Sequence, residues 1–251
     1  MERLRLLILG GTSEANGLAR RLAEESEVAP ILSLAGATEK PAPSPIPQRI
    51  GGFGGVGGLA AYLRAERIDA IVDATHPFAA RMSASAVEAA RTTGTPLVVF
   101  ARPPWRPRQG DRWIEVQTMS EAVDALGTPR KSVFLTQGRL QLAAFARAPQ
   151  HHYVVRAIDR PAEIDALSDC RLILARGPFA LADELELMRK ERIEVLVTKN
   201  SGGAATYPKI EASRLLRVPV VILQRPKPPE AETLHALDDV MAWIAAHRPA
   251  P

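Results

Sequence analysis

Leu6-Leu7-Ile8-Leu9-Gly10-Gly11-Thr12-Ser13-Glu14-Ala15 decides the fold of this 251-residue chain. An apolar run stops at two glycines, and a Thr/Ser/Glu cluster then opens a helical pattern. That is a strand, a tight turn and a helix N-terminus in close succession. A helix N-terminus carries unpaired N–H groups and the positive end of the helix dipole, so it favours an anion. In α/β proteins the anion is often a nucleotide phosphate. The stretch is not G-x-G-x-x-G, because Thr12-Ser13-Glu14-Ala15 follows the glycine pair. A plain βα turn capped by Ser13 or Thr12 fits the same pattern, and at this point both readings stand.

The pattern recurs outward from there. Strand-like runs at 3–9, 28–34, 49–50, 70–73 and 96–100 alternate with helical spacing at 14–24, 58–67 and 79–92. The proline-rich stretches at 39–48 and 101–108 break regular structure. A short strand at 113–116 and a helix at 120–126 precede an expected hinge at 127–131. The series then restarts, with strands at 132–136, 151–156, 171–175, 195–198 and 218–223 and helices at 140–147, 181–191, 204–216 and 234–247. Such alternation predicts an α/β fold of mostly parallel sheets flanked by helices. Two series predict two Rossmann-like domains, 1–128 and 129–251. Thr75-His76-Pro77-Phe78-Ala79 and Ala175-Arg176-Gly177-Pro178-Phe179-Ala180 each follow a strand, an echo that points to duplication.

Composition narrows the function. At 46% hydrophobic and 24% charged residues the chain has the balance of an ordinary globular protein. No apolar run approaches the roughly 20 residues needed to span a bilayer, and no signal-peptide pattern precedes the first strand. Cys170 is the single cysteine, which excludes an internal disulfide framework and a multi-cysteine metal site. A cytoplasmic location is the default expectation, and no metal site is expected. The net charge is +4, and arginine supplies most of the basic residues. Arginine recognises planar carboxylates and phosphates. Aromatic residues make up only 5% and do not interleave with basic ones, so anionic small molecules fit better than nucleic acid.

Ligands of open α/β sheets bind beyond the carboxyl ends of the strands. Those positions read Gly10-Gly11-Thr12-Ser13-Glu14, Gly51-Gly52-Phe53-Gly54-Gly55, Asp73-Ala74-Thr75-His76-Pro77-Phe78 and Arg102-Pro103-Pro104-Trp105 in the first series. In the second they read Thr136-Gln137-Gly138-Arg139, Arg156, Arg176-Gly177-Pro178-Phe179, Thr198-Lys199-Asn200-Ser201-Gly202-Gly203 and Gln224-Arg225-Pro226. The Gly51–Gly55 run allows close backbone approach to a cofactor and equally suits a flexible loop. Lys199 through Gly203 presents an ammonium, polar side chains and N–H groups to an anion, without Walker A spacing. The second strand ends in Ser33-Leu34-Ala35-Gly36-Ala37-Thr38, with no acid for a ribose until Glu39. That absence leans toward NADP over NAD, with Ser33, Thr38 or Lys40 near a 2′-phosphate.

The motifs at 8–15, 51–55, 73–79, 102–105, 175–179 and 198–203 occur together and in this order. As a set the chain resembles the precorrin-6A reductase family, CobK/CbiJ, of cobalamin biosynthesis, over nearly its whole length. The resemblance implies an NADPH-dependent reduction of one double bond of precorrin-6A to precorrin-6B, without metal or flavin. It also implies an active site in a cleft between two Rossmann-like domains. The substrate's carboxylates account for Arg102, Arg106, Arg139, Arg156, Arg176 and Lys199 at strand ends, and Trp105, Phe78 and Phe179 offer ring contact. The expected cofactor residues are Gly10, Gly11, Thr12, Ser13, Glu14, Gly51, Gly52, Phe53, Gly54 and Thr75. The expected substrate residues are Arg102, Trp105, Arg139, Arg176, Asn200, Ser201, Gly202 and Gly203. His76 and Lys199 are the candidate proton donors.

Alternatives remain at this level. The resemblance covers both a metal-free and a cobalt-loaded ring, and no residue decides between them. Another NADP-linked oxidoreductase or a nucleotide-sugar enzyme would share the architecture, though Tyr62, Tyr153 and Tyr207 lack Tyr-x-x-x-Lys spacing. A non-catalytic binder of anionic metabolites is the reading of another class. A monomer is the favoured oligomeric expectation.

Overall fold

The computed structural model describes residues 3–36, 43–136 and 141–248. The chain begins β1 (Leu4–Leu9), α1 (Ser13–Leu22), β2 (Val28–Leu34), β3 (Gln48–Ile50), α2 (Gly55–Ala65), β4 (Ala70–Asp73), α3 (Ala80–Thr93) and β5 (Leu97–Phe100). It continues through β6 (Trp113–Val116), α4 (Met119–Asp124), β7 (Ser132–Leu135), β8 (His152–Ala157), β9 (Cys170–Leu174), α5 (Leu181–Lys190), β10 (Val195–Lys199), α6 (Pro208–Leu216) and β11 (Val220–Leu223). It ends with β12 (Thr233–Leu234) and α7 (Leu237–Ala246). Two compact units result, one of Met1–Pro103 with Pro226–Pro251 and one of Pro104–Arg225.

The first unit is a six-stranded sheet in the order β12-β5-β4-β1-β2-β3. Every pairing in it is parallel. Side chains alternate across a strand, so β1 feeds two cores. Leu4, Leu6 and Ile8 pack with Leu18 and Leu22 of α1 and Val240 and Ile244 of α7. Leu7 and Leu9 pack on the other face with Leu59 and Leu63 of α2 and Ala86 and Ala89 of α3. A strand with both faces covered reads as the continuous apolar run seen in the sequence.

The second unit is also a six-stranded sheet, in the order β6-β11-β10-β7-β8-β9. It too is wholly parallel. Phe134, Val154, Leu196 and Ile222 pack under Met188 of α5 and Ile210 and Ala212 of α6. Tyr153 faces the other way, against Phe145 of the 3-10 turn at Leu142–Arg147, and its hydroxyl donates to the carbonyls of Phe145 and Ala148. Burial pushes its pKa up to about 12.

Both sheets share one spatial order of third, second, first, fourth, fifth and sixth strand. The sixth strands are exchanged. β6, which follows the first five strands in sequence, pairs with β11 in the register Trp113↔Val220 to Val116↔Leu223. β12, which follows the second five, pairs with β5 through Thr233↔Val99 and Leu234↔Phe100.

Several expectations differ from this arrangement. The chain passes between units after Pro103 and after Arg225, not at 128/129. Strand pairing of β6 draws residues beyond Pro104 into the second sheet, and the apolar face of α7 returns to the first. Residues 127–131 do not act as an open joint, since Lys131 Nζ donates to the Leu126 carbonyl and Gln150 Nε2 to that of Gly127. Of the helix expected at 140–147, the described part is a 3-10 turn at Leu142–Arg147, and the helix expected from 204 begins at Pro208, whose missing N–H suits a first turn. The helix expected from 234 starts at Leu237, after β12. The echo of Thr75–Ala79 in Ala175–Ala180 is not positional. The first follows β4, beside β1, and the second follows the edge strand β9.

His151, fully buried before β8, accepts a hydrogen bond from Lys131 N at Nδ1 and lies edge-on to Tyr153. Burial lowers its pKa below 6.5, with the charges of Lys131 and Arg130 pushing the same way. The unfolded chain therefore takes up this proton first as pH falls, and stability declines from about pH 6.5 down to the folded-state pKa. Thermal melts of His151→Gln across pH 4–8 are expected to show a flatter acid limb than the wild type, and an identical slope would remove this assignment.

Candidate functional site

In parallel sheets all strand carboxyl ends share one edge, and the crevice opens where strand order reverses. In the first unit that point lies between β1 and β4. Thr12, in extended conformation, caps α1 by accepting from Ala15 N at 3.1 Å. Its hydroxyl donates to the Ala74 carbonyl at 2.7 Å, which stitches the turn after β1 to the end of β4. A Cβ at Gly10 would meet Leu32 Cδ1 at 2.5 Å, so a larger residue there would require the Leu32 side chain to move. Gly11, at φ +114°, is exposed with nothing within 4 Å of its Cβ position. This leaves open space over the helix N-terminus. Arg102 Nη1 bridges Glu14 Oε2 at 3.0 Å and Ser13 Oγ at 3.3 Å. Arg102, expected to meet a substrate carboxylate, thus neutralises the acid in the first turn of α1.

At the end of β2 stands Ser33, 5% exposed, where an NAD-type site would carry an acid. Arg49 of β3 donates Nη1 to Ser33 Oγ at 2.7 Å and to the Gly51 carbonyl at 3.0 Å. Its guanidinium lies 3.9 Å above the Phe53 ring. Sequence reasoning missed Arg49. The signal was an arginine paired across the sheet from Ser33, visible only once β3 is set in register. Gly54 caps α2 at φ +80° without a side-chain bond, so the helix N-terminus is lined by backbone alone. A Cβ at Gly58 would come within 1.7 Å of the Phe53 carbonyl oxygen. That clash explains why the glycines run on into the helix.

After β4, Asp73 is 1% exposed, and its Oδ1 accepts from Thr75 N at 3.0 Å. Its Oδ2 is buried without a partner among the described residues. The Thr75 and Ser83 hydroxyls lie 3.2 Å apart. His76 accepts from Phe78 N at Nδ1, 3.2 Å away, and is half-buried. This bond leaves the proton of a neutral His76 on Nε2.

In the second unit the order reverses between β7 and β10. Lys199 closes β10 half-buried, and burial lowers its pKa below 10.5. Asn200, expected at the substrate, is 2% exposed. Its Oδ1 accepts from Trp105 N at 2.8 Å, and its Nδ2 donates to the Trp105 carbonyl at 3.1 Å. Trp105 is a core residue whose Nε1 donates to the Gly203 carbonyl at 2.9 Å. These bonds hold the turn after β10 to the segment that precedes β6. Arg225 donates to the carbonyls of Asn200 and Ser201, each at 2.9 Å. Lys209, 4% exposed, reaches Thr136 Oγ1 at 3.0 Å. Its apolar helical setting had given no signal. Arg176 is exposed on the turn after β9. Thr38, Lys40 and Arg139 lie outside the described residues.

Two parallel sheets with glycine turns and fixed cations along their carboxyl edges define an α/β protein of two Rossmann-like units. The chain belongs to the family described as precorrin-6x reductase CbiJ/CobK, whose model matches residues 5–245. It is 50% identical to the precorrin-6A reductase of Sinorhizobium sp over 98% of this chain and 94% of that protein. It is 46% identical to the precorrin-6A reductase of Rhodobacter capsulatus over 98% of both chains. A solved structure titled CobK precorrin-6A reductase matches with a TM-score of 0.94 and 45% identity, covering 100% of this chain and 99% of that one. The chain is thus an oxidoreductase of cobalamin biosynthesis, of a family that works with a nicotinamide cofactor. The open Gly11 face and the glycine-lined start of α2 fit a dinucleotide's phosphates. Among the described residues, no helix is long and apolar enough to cross a membrane.

Gly58→Ala is expected to lower stability by about 2 kcal/mol despite alanine's better helix propensity, because the Phe53 carbonyl must move. Denaturant midpoints read the change, and a neutral or stabilising result would remove the close-approach argument.

Proposed function

We propose that this chain reduces one double bond of metal-free precorrin-6A with NADPH, giving precorrin-6B. The observation that carries the cofactor preference is Arg49 hydrogen-bonded to Ser33 where an acid would serve NAD. A fixed guanidinium there favours a 2′-phosphate and stacks an aromatic platform beneath it. Gly11 to Glu14 and Gly52 to Gly54 offer backbone N–H groups to the pyrophosphate, Gly10 and Gly51, whose N–H groups donate to the Ser33 and Leu34 carbonyls, shape the two turns, and Thr75 borders them. The nicotinamide supplies the hydride. The metal-free ring is preferred because both relatives named above carry that substrate in their names.

The remaining work falls to side chains. Arg176, Ser201, Gly202 and Gly203 offer cations and N–H groups to the ring's carboxylates, with Arg139 added from the sequence. A conjugated, iminium-like ring accepts hydride more readily when protonated, and Lys199 and His76 are the candidate donors. Burial makes Lys199 a stronger acid than an ordinary lysine, which suits proton donation. Operation in the cytoplasm is consistent with drawing on the cell's NADPH pool.

The reading is tested by mixing protein, precorrin-6A and NADPH anaerobically and following ring absorbance with NADPH oxidation. Stoichiometric loss of both supports it. Ring binding without NADPH loss favours the cobalt-loaded ring or a binding role instead. Arg49→Gln is expected to raise KM for NADPH by about tenfold or more while leaving KM for NADH unchanged, the loss of one charge-assisted bond. A general acid must be protonated to act, so activity falls as pH rises through the lowered Lys199 pKa. Lys199→Gln should lower kcat and erase that alkaline limb. A limb that survives in Lys199→Gln and vanishes in His76→Asn would move the role to His76.

A further inference from the structure

Arg156 and Glu184 form a buried ion pair that stability alone does not explain. Arg156, near the carboxyl end of β8, is 8% exposed, and Glu184, in the first turn of α5, is 1% exposed. Arg156 Nη1 donates to Glu184 Oε1 at 2.5 Å, while Glu184 Oε2 is buried without a partner among the described residues. Burying such a pair gains little over an apolar pair of the same shape, and the orphan oxygen adds a penalty. The guanidinium also lies 3.7 Å over the Phe179 ring and 5.0 Å from that of Phe134. Phe179 N donates to the Ala205 carbonyl, which ties the turn after β9 to the segment following Lys199-Asn200-Ser201. The first unit carries a related arrangement, Arg49 over Phe53. There the arginine bonds a serine and backbone carbonyls, whereas in the second unit it bonds an acid held by a helix.

We infer that Arg156 is a carboxylate-recognising residue of the second unit, aimed by Glu184 as its positioning residue and backed by Phe179. Among the described residues only Nη1 of Arg156 is engaged by a protein acceptor, so Nε and Nη2 keep their donors at the ligand edge of the sheet. A guanidinium locked by a carboxylate on one side and a ring beneath it offers its remaining edge in one orientation, so little freedom is lost on binding. The matching ligand is a carboxylate arm on a planar, partly apolar macrocycle, with Phe179 beside the ring. This inference rests on the tetrapyrrole reading above.

The test titrates wild type, Arg156→Lys, Glu184→Gln and the double variant Arg156→Met/Glu184→Leu with precorrin-6A in the absence of NADPH, by ring absorbance. NADPH is titrated separately by fluorescence, and thermal melts report folding. Arg156→Lys and Glu184→Gln are expected to raise the Kd for the ring about 10- to 100-fold while leaving the Kd for NADPH within about twofold, since one charge-assisted contact is lost or misaligned. The double variant is expected to melt at or above the wild-type temperature and still lose ring affinity. Unchanged ring affinity in Arg156→Lys or in a folded double variant would overturn the inference. If wild type does not bind precorrin-6A, the substrate reading fails, and uroporphyrin, a ring of many carboxylates, becomes the probe. Binding of uroporphyrin that Arg156→Lys loses supports the site. Equal binding by both proteins, or binding by neither, overturns it.

Discussion

The side-chain amide of Asn200 pairs with both backbone groups of Trp105, and these two hydrogen bonds fasten the entering segment of the second unit to the end of β10. Trp105 lies on the proline-rich segment by which the chain enters that unit. Arg225, on the segment by which it leaves, is bonded to the backbone carbonyl of the same Asn200. One buried residue at the end of β10 therefore anchors both passages. A buried amide with its donors and acceptors satisfied is rigid and specific, because any slip would strand polar groups out of water. The turn carrying Lys199, Ser201 and the glycines is held in place by the same bonds.

The first unit solves the related problem at Thr12. Its hydroxyl caps a helix with one contact and crosses to the neighbouring strand with the other. Gly10 lets the strand approach Leu32, and Gly11 turns the chain under open space. The anion-binding character of this edge comes from backbone geometry, with Arg102 offsetting Glu14 so that the negative side chain does not oppose a phosphate.

Most of the fold was legible because strands buried on both faces are continuous apolar runs, as Leu6–Leu9 and Val195–Val197 are, and glycine turns mark where they stop. The exchange of sixth strands was not legible. β6 and β12 are short, and which sheet a strand joins depends on long-range pairing that local pattern does not encode. The site was legible as a set of strand ends and less so as a set of roles. Trp105 and Asn200 looked like ligand contacts from sequence, yet they meet each other across a long stretch of chain. Arg49 and Glu184 gave no signal in the sequence, because the residues that hold them, Ser33 and Arg156, are distant along the chain.

The exchanged strands also impose an order on synthesis. The first five strands emerge early from the ribosome, but β12, which completes their sheet at β5, is made only after the entire second unit. At about 5–20 residues per second, the nascent first sheet waits several seconds with one edge unsealed. During that interval Leu97–Phe100 exposes backbone groups ready to pair with a neighbouring polypeptide. The strand that shuts the first sheet is thus made only after the whole of the second, and a chain that stops short of Thr233 leaves the earlier sheet open at β5.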